Sequence, residues 1–320
     1  MGISVLDRKM LWGRSGMKCA MCQAALSEEH ELGGAVIIGE EAHIIAQHQD
    51  GPRGDSPLTE ADRNRYSNLL LLCPTDHARI DKLPDDYPPE ILQSIKAKHE
   101  AAVVSSATFD RNKQLAEENW ARLLDQLNDM VHWQSWQSSI APFFDPNSPW
   151  VRMAFTDRLR QASEWIYGRI WPEGHEKLRS AIEAFGRLLA DWVCKFEEHS
   201  ESRGPDSHSA MTQRFYKMGN YDHRLIKEYE DHVGLLEDLA LEATRYGNYI
   251  ASLIRDEVDP SFRFDEGLLL ITAAADMLQY QLLRPEFIPS DFTNGEPYID
   301  LVTFERERSR RDISYKVSDS

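Results

Sequence analysis

Long apolar runs are missing from this 320-residue sequence: nothing approaches the roughly 18 consecutive apolar residues that a membrane-spanning helix needs, so no membrane role is expected. Residues 1–18 are charged and hold no apolar signal-peptide segment, so the expected location is cytoplasmic. Cysteine is scarce, four in the whole chain, which excludes a disulfide framework. Positive charge is short as well: 36 Lys and Arg stand against 53 Asp and Glu, a formal net charge of −17. That imbalance argues against binding by indiscriminate neutralisation of phosphates, although residues 1–105 carry only −5 of it. There is no internal repeat and no low-complexity tract.

What is present suffices for packed cores, with 42% hydrophobic and 10% aromatic residues in a length that suits one large domain or two ordinary ones. Two textures follow each other. Up to about residue 85 the chain is rich in Gly and turn residues, with β-type stretches at Ala35-Val36-Ile37-Ile38 and His43-Ile44-Ile45-Ala46. After Pro88-Pro89 the pattern is helical, with candidate helices at 89–103, 110–139, 149–171, 175–200, 209–218, 222–257 and 265–283. Breakers at Pro142, Pro146-Asn147, Pro172-Glu173-Gly174 and Arg203-Gly204-Pro205 separate them, and the charged tail after Arg306 is expected to fray. The tryptophans of this region, and Cys194 in its apolar run, read as core.

Three of the four cysteines sit in two short clusters, Cys19-Ala-Met-Cys22 and Cys73-Pro-Thr-Asp76-His77. Two thiolates three positions apart clamp a tetrahedral ion when a second short cluster returns from elsewhere, and in a small, loop-rich segment the metal supplies folding energy. A structural Zn²⁺ on Cys19, Cys22 and Cys73 is therefore expected. The fourth ligand stays open: Asp76 has the right spacing, and His77 is the more usual chemistry.

Between the clusters lie Glu40-Glu41-Ala42-His43-Ile44-Ile45, the loop Gly51-Pro52-Arg53-Gly54-Asp55, and Asn68-Leu69-Leu70-Leu71-Leu72-Cys73, with His77 four residues after that Cys. This ordered set, over about residues 10–100, resembles the HNH (ββα-metal) endonuclease family. The resemblance implies a metal-dependent nuclease with His43 as the general base that activates water. It gives Asn68, as the family's central Asn, the orienting role. For the catalytic cation, Mg²⁺ or Mn²⁺, it points to His77 and Asp81, whose i,i+4 spacing puts both on one helix face. Many members carry a ligand directly before the base, where this chain has Ala42; Glu40 or Glu41 from the same segment is the candidate replacement, and Glu41 shares a strand face with His43. Arg53, Arg79 and Lys82 flank the site as candidate phosphate contacts.

The expected fold is thus α+β, with a small zinc-braced ββα-metal domain at 1–105 and a mainly α-helical domain at 106–320. The Ala-His-Ile and Gly-Pro-Arg-Gly-Asp forms look like the HNH domains that begin bacterial antiphage effectors, which implies a DNA-cleaving defence nuclease. The C-terminal region has neither an alternating strand–helix pattern nor a phosphate-type glycine loop, so a regulatory role through homo-oligomerisation or a protein partner is expected of it. The competing expectations are a zinc-braced adaptor without catalysis and a nuclease directed at RNA.

Overall fold

The computed structural model describes residues 2–29, 35–106, 110–145, 149–202, 208–216, 222–274, 280–292 and 295–308. The breakers expected at Pro146-Asn147 and Arg203-Gly204-Pro205, and the tail beyond residue 308, lie outside them. The fold is mixed α+β and divides into two compact units, Met1–Asp125 and Gln126–Ser320. No described helix is long and apolar enough to cross a membrane.

The first unit begins with α1 (Val5–Arg14), a helix the sequence reading missed. Its start is written locally: the Ser4 hydroxyl accepts from the Asp7 N–H, and the Asp125 carboxylate accepts from Val5 and Leu6 N–H at 3.0 and 2.9 Å. The hairpin of β1 (Ser27–Glu29) and β2 (Ala35–Ile37) follows. Next come β3 (Glu40–His43), α2 (Glu60–Arg63), a 3₁₀ turn at Tyr66–Asn68 and β4 (Leu69–Leu72), with β4 pairing antiparallel to β3 so that Glu40 opposes Leu72 and His43 opposes Leu69. Strand β3 ends at His43 rather than beginning there. Then α3 (Pro74–Lys82) packs on the β3–β4 pair, followed by α4 (Pro89–Val104) and α5 (Arg111–Val131). Leu11, Leu26, Ala42, Ile44, Leu69 to Leu72, Ile80 and Leu92 form the buried core. The unit runs on to Asp125 instead of closing at 105 because the first half of α5 is tied to α1 by Lys9–Glu117 and Arg14–Glu118 ion pairs, both 2.8 Å.

In the second unit α5 stops at Val131, since His132 adopts a left-handed conformation (φ 54°) that a continuous 110–139 helix could not contain. Then come α6 (Trp136–Ile140), β5 (Trp150–Arg152), α7 (Met153–Tyr167), α8 (Glu176–Glu198), β6 (Ser200–Ser202), β7 (Ser209–Thr212), α9 (His223–Glu257), β8 (Ile271–Ala274), β9 (Tyr280–Leu283) and α10 (Leu301–Glu307). Helix α8 packs between α7 and α9, and its apolar stripe supplies Phe185, Trp192 and Phe196 to an aromatic core with Trp136, Phe143 and Phe155.

Three expectations are corrected here. Residues 209–212 form the central strand of a sheet ordered β5-β7-β6, and 271–274 with 280–283 form a hairpin, where helices were expected. Cys194 is exposed, not core: it lies two turns after exposed Arg187, on the face of α8 opposite its apolar stripe.

Candidate metal centre

Four donors meet at the junction of the two cysteine clusters. The knuckle folds back at Gln23, whose φ of 62° lets the Gln23 N–H reach Cys19 O at 2.9 Å, and Ala20 N–H donates to Leu71 O, pinning the knuckle to β4. From the other side Cys73 caps α3, its sulfur accepting from the Asp76 N–H, with Pro74 at the first helical position and Asp76 in the first turn. The ligand atoms of Cys19, Cys22, Cys73 and Asp76 all lie within 4.8 Å of one another.

The spacings suit a tetrahedral ion. A metal–sulfur bond of about 2.3 Å gives tetrahedral S···S edges of about 3.8 Å. Cys22 Sγ and Cys73 Sγ are 3.8 Å apart, and Asp76 Oδ2 stands 3.2 Å from Cys19 Sγ and 3.5 Å from Cys73 Sγ. A main-chain hydrogen bond from Ala24 pulls the Cys22 thiol down, yet the crowding of Asp76, burial and the neighbouring thiols outweighs it and pushes that thiol up to about 12. The Cys22 thiol therefore needs a cation beside it to persist as thiolate at neutral pH. Asp76, 2% exposed, is the fourth donor rather than His77, and its other oxygen accepts from Arg79 Nη1.

Around this clasp α4 provides a brace. His99, buried, accepts from the Gln23 amide at Nδ1 (3.0 Å) and donates from Nε2 to Ser15 O (2.9 Å), which fixes the knuckle against the end of α1.

A second set of donors lies one turn along α3. His77 stands between two carboxylates: its Nδ1 donates to Glu40 Oε2 at 2.6 Å, and its Nε2 is 3.4 Å from Asp81 Oδ2. Metal-bound histidines usually give their second ring N–H to a carboxylate, which orients the ring and raises its basicity. Glu40 fills that part. The 3.4 Å separation of Nε2 and Oδ2 is the tetrahedral edge of an ion at about 2.1 Å and exceeds the octahedral edge of about 3.0 Å by a few tenths of an ångström, so an octahedral cation shared by His77 and Asp81 needs a small side-chain adjustment. Ala42 is fully buried in the core, so no donor comes from the position before His43. Glu41 is engaged elsewhere, its Oε1 accepting from Arg8 Nε and Trp12 Nε1 at 2.9 Å each. Period-two alternation sends Glu40 toward α3 and Glu41 toward α1.

His43 is half-buried at the end of β3, and its Nε2 donates to Asn64 Oδ1 at 2.9 Å. That tautomer leaves Nδ1 as the basic nitrogen. Asn68, expected in this role, does something else: its amide oxygen accepts from Ile45 N–H, and its amide nitrogen donates to Ile45 O and Arg63 O. The reason is register, because β3 has just ended and Ile45 needs partners that a side-chain amide at the head of β4 can supply. The sequence signal for Asn64 was its place four residues before Asn68, bracketing the same turn.

The cations divide. Arg53, expected at phosphate, has a side chain only 4% exposed. It donates to Ile44 O (2.7 Å), Ile80 O (2.6 Å) and Asp81 Oδ1 (3.0 Å), with the His43 carbonyl 3.5 Å from the same Nη2. A guanidinium inside a ring of carbonyls cannot face solvent, so Arg53 joins the His43 strand to the Asp81 helix instead. Buried Arg63 likewise holds the 46–58 loop through the carbonyls of Ala46, Gly54, Ser56 and Leu58. Arg79 is paired with Asp76, and Lys82 is exposed. No protein-family model matches the sequence, and a search of curated proteins finds no match.

Proposed function

We propose that the first unit is a metal-dependent phosphodiester hydrolase of the HNH type acting on DNA, with a structural zinc on Cys19, Cys22, Cys73 and Asp76. The observation that carries this reading is Arg53, one side chain bonded both to the end of the strand that bears His43 and to the helix carboxylate beside His77. It locks a base-bearing strand to a cation-binding helix.

In this reading His43 Nδ1 takes the proton of the attacking water while Asn64 keeps the ring in the right tautomer. His77 and Asp81 hold the divalent ion, Mg²⁺ or Mn²⁺, and Glu40 orients His77. Once bound, such an ion supplies charge neutralisation on the phosphate and at the leaving oxygen. Exposed Lys82 contacts the phosphate backbone. The second unit governs assembly or recruitment, as in an antiphage effector.

A nicking assay on supercoiled DNA with Mg²⁺ or Mn²⁺ tests it. His43→Ala is expected to lower the rate by about 10²–10⁴-fold with zinc content and melting temperature unchanged; equal rates remove His43 from catalysis. Matched DNA and RNA duplexes assign the substrate. A second reading, a zinc-braced adaptor without catalysis, is favoured by the burial of Arg53 and the pairing of Arg79. It predicts that cellular activity survives His43→Ala and is lost with Cys22→Ser.

A further inference from the structure

Between α7 and α8 the chain turns through Tyr167-Gly-Arg169-Ile170-Trp171-Pro172. Tyr167 is 94% and Ile170 95% exposed, as open as side chains become. The turn that presents them is ordered from beneath. Trp165 and Trp171 meet edge to face with centroids 6.0 Å apart, Arg169 lies 4.9 Å over the Trp165 ring, and its Nε donates to Trp165 O. A rigid tip of Tyr, Arg and Ile has the composition of a binding hot spot, with little conformational entropy left to lose.

At the other end of α8 is a cleft of about 470 Å³. Phe215 and Leu235 give it apolar walls, and Glu228, Asp231 and Glu305 put carboxylates on its rim. Its two cations are already matched by acids, Lys195 by Glu198 and Glu305 and Arg308 by Asp238. His232 lines it too, 6% exposed and stacked edge to face on His199, with no hydrogen-bond partner at its buried Nε2 among the described residues. Burial, with His199 and Lys195 nearby, holds the His232 imidazolium down to about 4, so at neutral pH the ring is uncharged. The cleft thus offers apolar walls, an acidic rim and an uncharged imidazole in its lining.

We infer that the Tyr167–Ile170 tip of one copy docks into this cleft of a second copy of the chain. Tyr167 and Ile170 fill it against Phe215 and Leu235, beside the uncharged His232 ring, and Arg169 meets the acidic rim. Helix α8 has 23 residues, so tip and cleft are separated by about 34 Å along it. Complementary surfaces at opposite ends of one helix either close reciprocally as an antiparallel two-fold pair or propagate head to tail into a ring or filament, and both forms need one intact tip and one intact cleft at each contact.

Sedimentation of the full chain tests this, with circular dichroism as a check that each variant is folded. Wild type is expected to grow in mass with concentration. A tip variant, Tyr167→Asp with Ile170→Asp, and a cleft variant, Glu228→Lys with Asp231→Lys, are each expected to be monomeric. Mixed, they are expected to give a 1:1 dimer and nothing larger, because one intact tip and one intact cleft remain. Arg169→Glu alone is expected to weaken association about tenfold or more. A wild type that stays monomeric, a folded tip or cleft variant that still assembles, or a mixture that stays monomeric would each overturn the proposal. None of these readouts depends on nuclease activity.

Discussion

Asn64 and Asn68 stand four residues apart and hold different things. Asn64 faces the His43 ring, while Asn68 spends its whole amide on main chain. Their substitutions are therefore expected to separate. Asn68→Ala leaves the main chain of Ile45 short of partners and should cost about 1–3 kcal/mol in urea unfolding, with the pH–rate profile in place. Asn64→Asp puts a carboxylate against the His43 Nε2–H and favours the imidazolium. Since the base works only when neutral, the acid limb of the pH–rate profile is expected to move to higher pH, with little change in stability. An unmoved acid limb would take Asn64 out of the catalytic arrangement. At this scale the residue types were legible in the sequence and their partners were not. His77 and Asp81 could be paired because i,i+4 spacing is a local property of a helix. Arg53 was misassigned because only the folded chain brings the Ile44 and Ile80 carbonyls around it.

The cluster of Cys19, Cys22, Cys73 and Asp76 is an element-scale device, since it brings the knuckle after α1 to the start of α3. Its folding was readable for local reasons: a Cys-x-x-Cys knuckle, then a helix begun by Cys73, Pro74 and Asp76. The long helices α8 and α9 were readable likewise, their apolar stripes repeating over many turns. Strands β7, β8 and β9 were not: β7 owes its existence to a partner distant in sequence, as Ala210 pairs with Val151, and the four-residue strands of the β8–β9 hairpin are too short to show an alternation. The clasp also makes a prediction. Wild type is expected to carry one zinc per chain by elemental analysis and Cys22→Ser none, and the melting temperature of the variant should drop by about 2–8 °C for each kcal/mol lost. Metal-free wild type with an unchanged melting temperature would refute the structural ion.

At the scale of the whole molecule, charge decides how nucleic acid can be held. Each phosphate neutralised by a protein cation releases counterions, so the logarithm of duplex affinity falls against the logarithm of salt with a slope of about −0.9 per contact. Of the three cations flanking the site, Arg53 is enclosed and Arg79 is paired with Asp76, which leaves Lys82 on the surface. The chain's net charge of −17 adds a long-range repulsion that salt screens. On the proposed reading, the divalent ion then has to supply much of the attraction. Duplex binding by His43→Ala protein, followed by fluorescence anisotropy in Mn²⁺, is expected to show a slope shallower than about −2 between low and moderate salt. Binding should also weaken sharply when Mn²⁺ is withdrawn. A slope steeper than about −5 would require several more phosphate contacts than the site offers. The nucleic acid would then be held by a different surface, and the cleavage roles proposed for His43, His77 and Asp81 would lose their substrate.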